Sequence, residues 1–263
     1  MLKFLLQLLL IPLFSISVAV HASSQEVALE QPFYVNITEL FPSQHRYASM
    51  NVQEKMNRKL EKGDAWWDQK EERWVFLHNE GTSIFSIKEA LPVAKTCFGY
   101  ALLDGHHDVL ASKAFRADWI PIRVFADCSA LSESDFWAKA EALGFAYLYD
   151  LKGEGGIPPK EFEQLEDDSN RFFAAISARK YTPDLTSSAG ADYPIWIKIG
   201  KDIPFIEFKI SDALWKSGFE YSYEMGLSPS MEVYEAAREI IKNANIEGLK
   251  VVPERLHYSE VQL

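Results

Sequence analysis

The segment Leu102-Leu103-Asp104-Gly105-His106-His107-Asp108-Val109-Leu110-Ala111 constrains the local fold of this chain more than any other. An apolar run ends at an aspartate, a glycine permits a sharp reversal, and helical spacing follows. A strand that turns through glycine into a helix brings unpaired backbone N–H groups to one point. That point suits an anion, often a phosphate. Gly105 would supply the turn that cradles the anion. Asp104 could hold a metal, take a proton, or only cap the helix. His106 and His107 could serve as acid–base groups, or be one surface and one packed histidine. A helix N-terminus disfavours their protonation, so neutral imidazoles are expected.

The first 22 residues read as a secretory signal peptide: Lys3, an interrupted apolar run from Phe4 to Val20, and small residues around Ala22. The alternative is an uncleaved anchor. No later stretch is apolar for long enough to span a bilayer, so stable membrane insertion after cleavage is not expected. The chain is expected to be exported, to the periplasm or beyond. Its formal net charge of −11 repels nucleic acid at long range, so any such partner needs a local basic patch or bound cations. Cys97 and Cys128 could form one disulfide or remain two buried thiols, and they are too few for a zinc cluster.

Strand patterns fall at 33–37, 73–77, 91–103 and 119–125, and helical patterns at 52–60, 105–115, 132–143, 167–180, 203–215 and 230–242. Val109, Leu110 and Ala114 are expected on the buried face of the helix after Gly105. Residues 38–46 read as loop and 181–191 as a mobile loop. Strands before helices argue an α+β fold: a small mixed sheet with helices, then a mostly helical C-terminal part. The expected divisions are 1–22 signal, 23–32 leader, 33–128 core, 129–220 helical extension of the same domain, and 221–263 helical tail. Trp66 and Trp67 read as exposed, a stacking surface or a pair packed on the sheet. Phe136, Trp137, Phe172, Phe173, Phe205, Phe208 and Trp215 read as core.

Two stretches together resemble the ParB/sulfiredoxin superfamily. One is Ile37-Thr38-Glu39-Leu40-Phe41-Pro42-Ser43-Gln44, a strand running into a Pro-x-Gln loop. The other is the Asp-Gly-His-His unit followed by Ile120-Pro121-Ile122-Arg123-Val124. A closer resemblance, to the ParB-like nuclease subfamily, continues through Ser134-Asp135-Phe136-Trp137, Leu165-Glu166-Asp167-Asp168-Ser169-Asn170-Arg171 and Pro204-Phe205-Ile206-Glu207-Phe208, over about 34–220.

The resemblance implies a compact fold with a phosphate-cradling helix start. Its members bind CTP or ATP, or phosphorylate serine, and the subfamily label implies phosphodiester hydrolysis. Asp104, His106 and His107 then stand as catalytic residues, with Asp104 as ligand to a divalent ion such as Mg²⁺. Gln44, Arg46 and Gly105 would hold the phosphate-containing ligand, a nucleic acid or a nucleotide. The chain departs from the pattern at Gly105, where the subfamily tends to carry a third histidine. It departs again at Gln44, which stands near the glutamate of the serine-phosphorylating members and cannot act as a base. A nucleotide-dependent phosphotransferase and a non-catalytic phosphate-binding module are the alternatives. Arg46 is either a bidentate phosphate clamp or a solvated surface group. Glu207 is either a cation's buried partner or a surface residue. Asp167, Asp168, Asn170 and Arg171 could approach the site, or Asp168 and Asn170 only start a helix.

Overall fold

The computed structural model describes residues 31–178, 195–198, 204–226 and 229–251. The signal segment 1–22 and the loop 181–191 lie outside these residues, as does most of the 23–32 leader. The elements run β1 (Phe33–Asn36), β2 (Leu40–Phe41), β3 (Arg46–Tyr47), α1 (Ser49–Glu61), β4 (Ala65–Asp68), β5 (Arg73–Phe76), β6 (Leu91–Thr96), β7 (Gly99–Leu102), α2 (His106–Ala114), β8 (Trp119–Asp127), α3 (Glu133–Ala142), β9 (Glu166–Asp167), α4 (Ser169–Ile176), β10 (Trp196–Lys198), α5 (Ile206–Lys216), α6 (Met231–Ala244) and β11 (Leu249–Val251).

The sheet has the order β1-β8-β6-β7-β2, and this is an α+β fold. β1 runs antiparallel to β8, β8 parallel to β6, β6 antiparallel to β7, and β7 parallel to β2. Period-2 alternation in β8 buries Ile120, Ile122 and Val124 and leaves Arg123 and Phe125 exposed. Those inward residues meet Val93, Leu102, Val109, Ala111 and Phe115 beneath α2. Each large side chain so buried contributes about 1.5–3 kcal/mol of transfer free energy. Ala94 follows Val93 in β6 and so faces the other side of the sheet, and the pairing slips by one residue there, with Phe125 the extra residue of β8. There Ala94 pairs with Ala101, and these two small residues let Phe136 and Trp137 of α3 pack close. Ser132 caps α3 by accepting from the Asp135 amide.

A third cluster joins α4, α5 and α6 through Phe172, Phe173, Ile210, Leu214, Tyr234 and Ile241. The segment expected as a tail thus packs its amphipathic helix α6 against α5. Of the aromatic residues read as core, Phe172 and Phe173 lie in this cluster and Phe136 and Trp137 in the one under α3; Phe208 is buried outside both, and Phe205 and Trp215 are half-buried.

Several local readings need correction. Residues 38–46 contain the short strands β2 and β3, whose two-residue length hides their periodicity. Ala114 is exposed, and Ser112 and Phe115 take its place on the buried face of α2. In α1, Leu60 is exposed and Lys59 buried, because the Lys59 ammonium finds two carboxylates inside. Trp66 and Trp67 are exposed on the β4–β5 hairpin, Trp67 edge-on to Trp74. Cys97 and Cys128 are free thiols, Cys97 exposed. Among the described residues, no helix is long and apolar enough to cross a membrane.

Candidate functional site

β7 ends at Leu102, and the chain reverses at Gly105 with φ of +97°. A side chain there would be strained, and a Cβ would press to 2.8 Å from Leu91 Cδ2. Asp104 is exposed and folds back, its Oδ1 accepting from the Gly105 amide at 2.7 Å. The Asp108 and Val109 amides donate to the Gly105 carbonyl. The His106 and His107 amides meet no acceptor among the described residues, so α2 opens on two unpaired N–H groups.

Both histidines are held from outside their helix. The Ser43 amide donates to His106 Nε2 at 2.9 Å, and the Ala48 amide donates to His107 Nε2 at 3.1 Å. A nitrogen that accepts a backbone N–H carries no proton, so both rings are neutral with the proton on Nδ1. Burial, with the Arg171 charge behind it, pushes His106 down to about 3. Burial and then Arg171 also hold His107 well below the usual imidazole range. The neutrality expected from the helix dipole is present, and burial is its main cause. Of the pair read as one surface and one packed histidine, His106 is buried and His107 is half-buried, with its ring engaged by protein donors. Their geometry makes them fasteners: with Ser49, whose amide donates to Asp167 Oδ1 at 2.9 Å, they pin residues 43–49 to α2 and β9.

That pinned segment carries β3, which runs parallel to β9 with Arg46 opposite Glu166. Arg46 is fully buried, which overturns the solvated reading. Its Nη2 donates to Asp212 Oδ1 at 2.8 Å, and its Nη1 lies 3.1 Å from Asp168 Oδ2 without hydrogen-bond alignment. Its cation therefore has two carboxylates already. Gln44 is also buried, its Nε2 donating to the Arg46 carbonyl at 2.7 Å, so it braces β3 from within. Asp168 both starts a helix and faces the site. It caps α4 through the Arg171 amide and accepts from Ser211 and Trp215, one turn apart on α5.

Arg171 stands differently. It is half-buried with its Nε enclosed, and no carboxylate oxygen of the described residues lies within 4.0 Å of it. Its Nη1 donates to His107 Nε2 at 2.9 Å, its guanidinium carbon sits 4.2 Å from the Phe208 ring centroid, and its Nε has no partner. Burial draws this guanidinium down to about 10, Glu207 and Asp168 opposing and nearby Arg46 adding to the effect. Glu207 is thus a half-buried counter-charge at longer range. A half-buried cation facing a neutral ring is costly unless an anion completes it.

Asp64, His78 and Glu89 form a second cluster, with ligand atoms close enough to share a metal ion. Lys59 Nζ already lies among them, 3.1 Å from Asp64 Oδ2 and 2.7 Å from Glu89 Oε1. The ammonium neutralises the pair, and an ion would have to displace it.

Asp212 and Ser211 were not singled out from the sequence. Their signal was an acid and a hydroxyl inside the apolar run Ile210-Ser211-Asp212-Ala213-Leu214, with Phe208 and Trp215 flanking at helical spacing.

A family model described as "Putative ParB-like nuclease" matches residues 33–182, ending short of the α5 region that carries Phe208 and Asp212. No curated protein matches the chain. The crystal structure of protein Atu1540 from Agrobacterium tumefaciens superposes with a TM-score of 0.51 at 21% identity. That likeness covers 81% of this chain and 90% of that one, and speaks to the fold. With the family match spanning more than half of its length, the chain belongs to the ParB-like nuclease family.

Proposed function

We propose that the chain binds a phosphate ester at the start of α2 and hydrolyses it as a phosphodiester. The observation that carries this reading is Arg171, a half-buried guanidinium whose Nε has no partner among the described residues and whose Nη1 has only the His107 ring for acceptor, His107 also carrying one of the two unpaired amides that open α2. A phosphate oxygen satisfies both deficits at once. Arg171 and the His106 and His107 amides bind the non-bridging oxygens. The two imidazoles hold the 43–49 segment and take no proton while they do so.

Asp104 is the exposed carboxylate of the turn, with Oδ2 uncommitted. Asp108 is tied by both oxygens to Lys55 and adds no ligand. One carboxylate plus phosphate oxygens suits Mg²⁺, so Asp104 would hold a divalent ion only together with the ester. Such an ion would neutralise charge on the phosphate. Asp104 otherwise orients the attacking water.

A binding module without turnover is the second reading, favoured by the occupation of both imidazoles. We carry export as part of the proposal, with 1–22 as the removed signal; N-terminal sequencing of secreted protein tests it. The function is tested by titrating the full chain with inorganic phosphate and assaying cleavage of bis-p-nitrophenyl phosphate and labelled oligonucleotides with Mg²⁺ or Mn²⁺. Binding with turnover that Asp104→Asn abolishes is the expected result. Binding without turnover selects the second reading, and absence of both rejects the site.

A further inference from the structure

Helix α5 has a second face. Beyond Phe208 and Ser211, which are buried, Asp212, Trp215 and Lys216 form one wall of a cleft of about 510 Å³. Tyr147, which packs on Phe208 of the same helix, completes the lining together with Tyr149 and Lys152. This volume is in the range of small-ligand sites, roughly 300–1,000 Å³.

The lining has a specific chemistry. The Trp215 indole N–H is turned inward to Asp168 Oδ1 at 3.1 Å, which leaves the apolar part of the ring for the cleft. Tyr149 is 41% exposed, and the Glu141 carboxylate near its hydroxyl pushes that hydroxyl's pKa up. Asp212 accepts from Arg46 on one oxygen and from the Tyr147 hydroxyl on the other, yet its side chain keeps 24% exposure. Each carboxylate oxygen has a further lone pair, so the floor of the cleft can accept and cannot donate. Lys152 and Lys216 are exposed, and neither has a carboxylate oxygen of the described residues within 4.0 Å. In a chain of net charge −11, two such ammonium groups mark a locally positive opening.

Aromatic walls take a planar ring of any sequence identity. An acceptor-only floor selects rings that bring N–H groups on one edge. Cationic groups at the opening take an anion. We propose that this cleft is a nucleotide site, separate from the turn at Gly105, with the base against Tyr149 and Trp215, its amino-bearing edge toward Asp212, and its phosphate on Lys152 and Lys216. Guanine fits best, because N1–H and the N2 amino group can meet both carboxylate oxygens. Uracil fits worst, because its edge is mostly carbonyl.

The test is calorimetric titration of the full chain with GMP, AMP, CMP, UMP and inorganic phosphate at low salt. GMP is expected to bind at least tenfold more tightly than UMP. Tyr149→Ala, at an exposed position, is expected to weaken GMP about tenfold through lost stacking. The double variant Lys152→Ala/Lys216→Ala is expected to weaken it comparably, and both variants are expected to bind inorganic phosphate as before. The proposal is overturned if no monophosphate binds, if all four bind equally, or if GMP affinity is unchanged in both variants. Phosphate binding without GMP binding would leave the α2 site standing and remove this one; GMP binding without phosphate binding would do the reverse.

Discussion

The guanidinium of Arg171 donates to the neutral imidazole of His107 across 2.9 Å, so a half-buried charge faces an uncharged acceptor. The same His107 nitrogen also accepts from the Ala48 amide, although a neutral imidazole nitrogen offers one lone pair. Two donors share it, and Arg171 can turn to an incoming anion without leaving His107 unsatisfied.

Replacing that cation by an apolar side chain of similar reach separates binding from folding. Arg171→Met is expected to lower phosphate affinity at least tenfold while holding or raising the thermal midpoint, since removing a half-buried charge relieves its desolvation. Calorimetric titration beside thermal denaturation checks both halves. A large fall in the midpoint would mean that the guanidinium serves the fold instead.

Acid should destabilise the protein before its carboxylates titrate. His106 sits at about 3 when folded against about 6.5 when unfolded, so the unfolded chain binds the extra proton between these values. Stability is complete above about pH 6.5 and falls as pH drops toward 3, by about 1.4 kcal/mol per pH unit for one such histidine. His107 acts in the same direction. Urea midpoints at pH 7 and 5 should show the loss, and His106→Gln, whose amide oxygen can still accept from Ser43, should reduce it.

Gly105→Ala forces a side chain into φ of +97° and against Leu91. The expected cost is about 1–3 kcal/mol in urea unfolding, with weaker phosphate binding as the turn shifts. An unchanged midpoint would show that the turn relaxes freely.

Lys59 is the buried link between Asp64 and Glu89, and it also lies 4.0 Å above the Phe85 ring. Lys59→Ala should destabilise by about 3 kcal/mol, because carboxylates lose their partner. The same variant should gain a Zn²⁺-dependent rise in thermal midpoint that the unsubstituted chain lacks. Equal response of both proteins to Zn²⁺ would show that the ammonium does not exclude the ion.

Periodicity carried much of the sheet and helix reading. The alternation in 119–125 and the cap at Ser132 each depend on neighbours a few residues away, and such neighbours are visible in sequence. The turn at Asp104 was legible for the same reason. The burial of Arg46 was not, because its two carboxylates lie more than a hundred residues downstream and nothing local marks the pairing. Likewise a histidine pair looks the same whether its lone pairs await a ligand or hold the amides of Ser43 and Ala48. The exposure of Ala114 beside buried Ser112 reflects where α1 and β8 press on α2, which is a property of the assembled core.

The parallel pairing of β3 with β9 has a consequence for synthesis on the ribosome. Arg46 emerges early, but Asp168 and Asp212 appear only after most of the chain has been made. Until then the nascent sheet would expose a guanidinium it has no means to bury, and the 43–49 segment would lack its Asp167 anchor. The 43–49 segment therefore cannot be sealed before β9 and α5 arrive, and a ribosome-stalled chain ending before residue 166 should hold its sheet while leaving that segment open to protease.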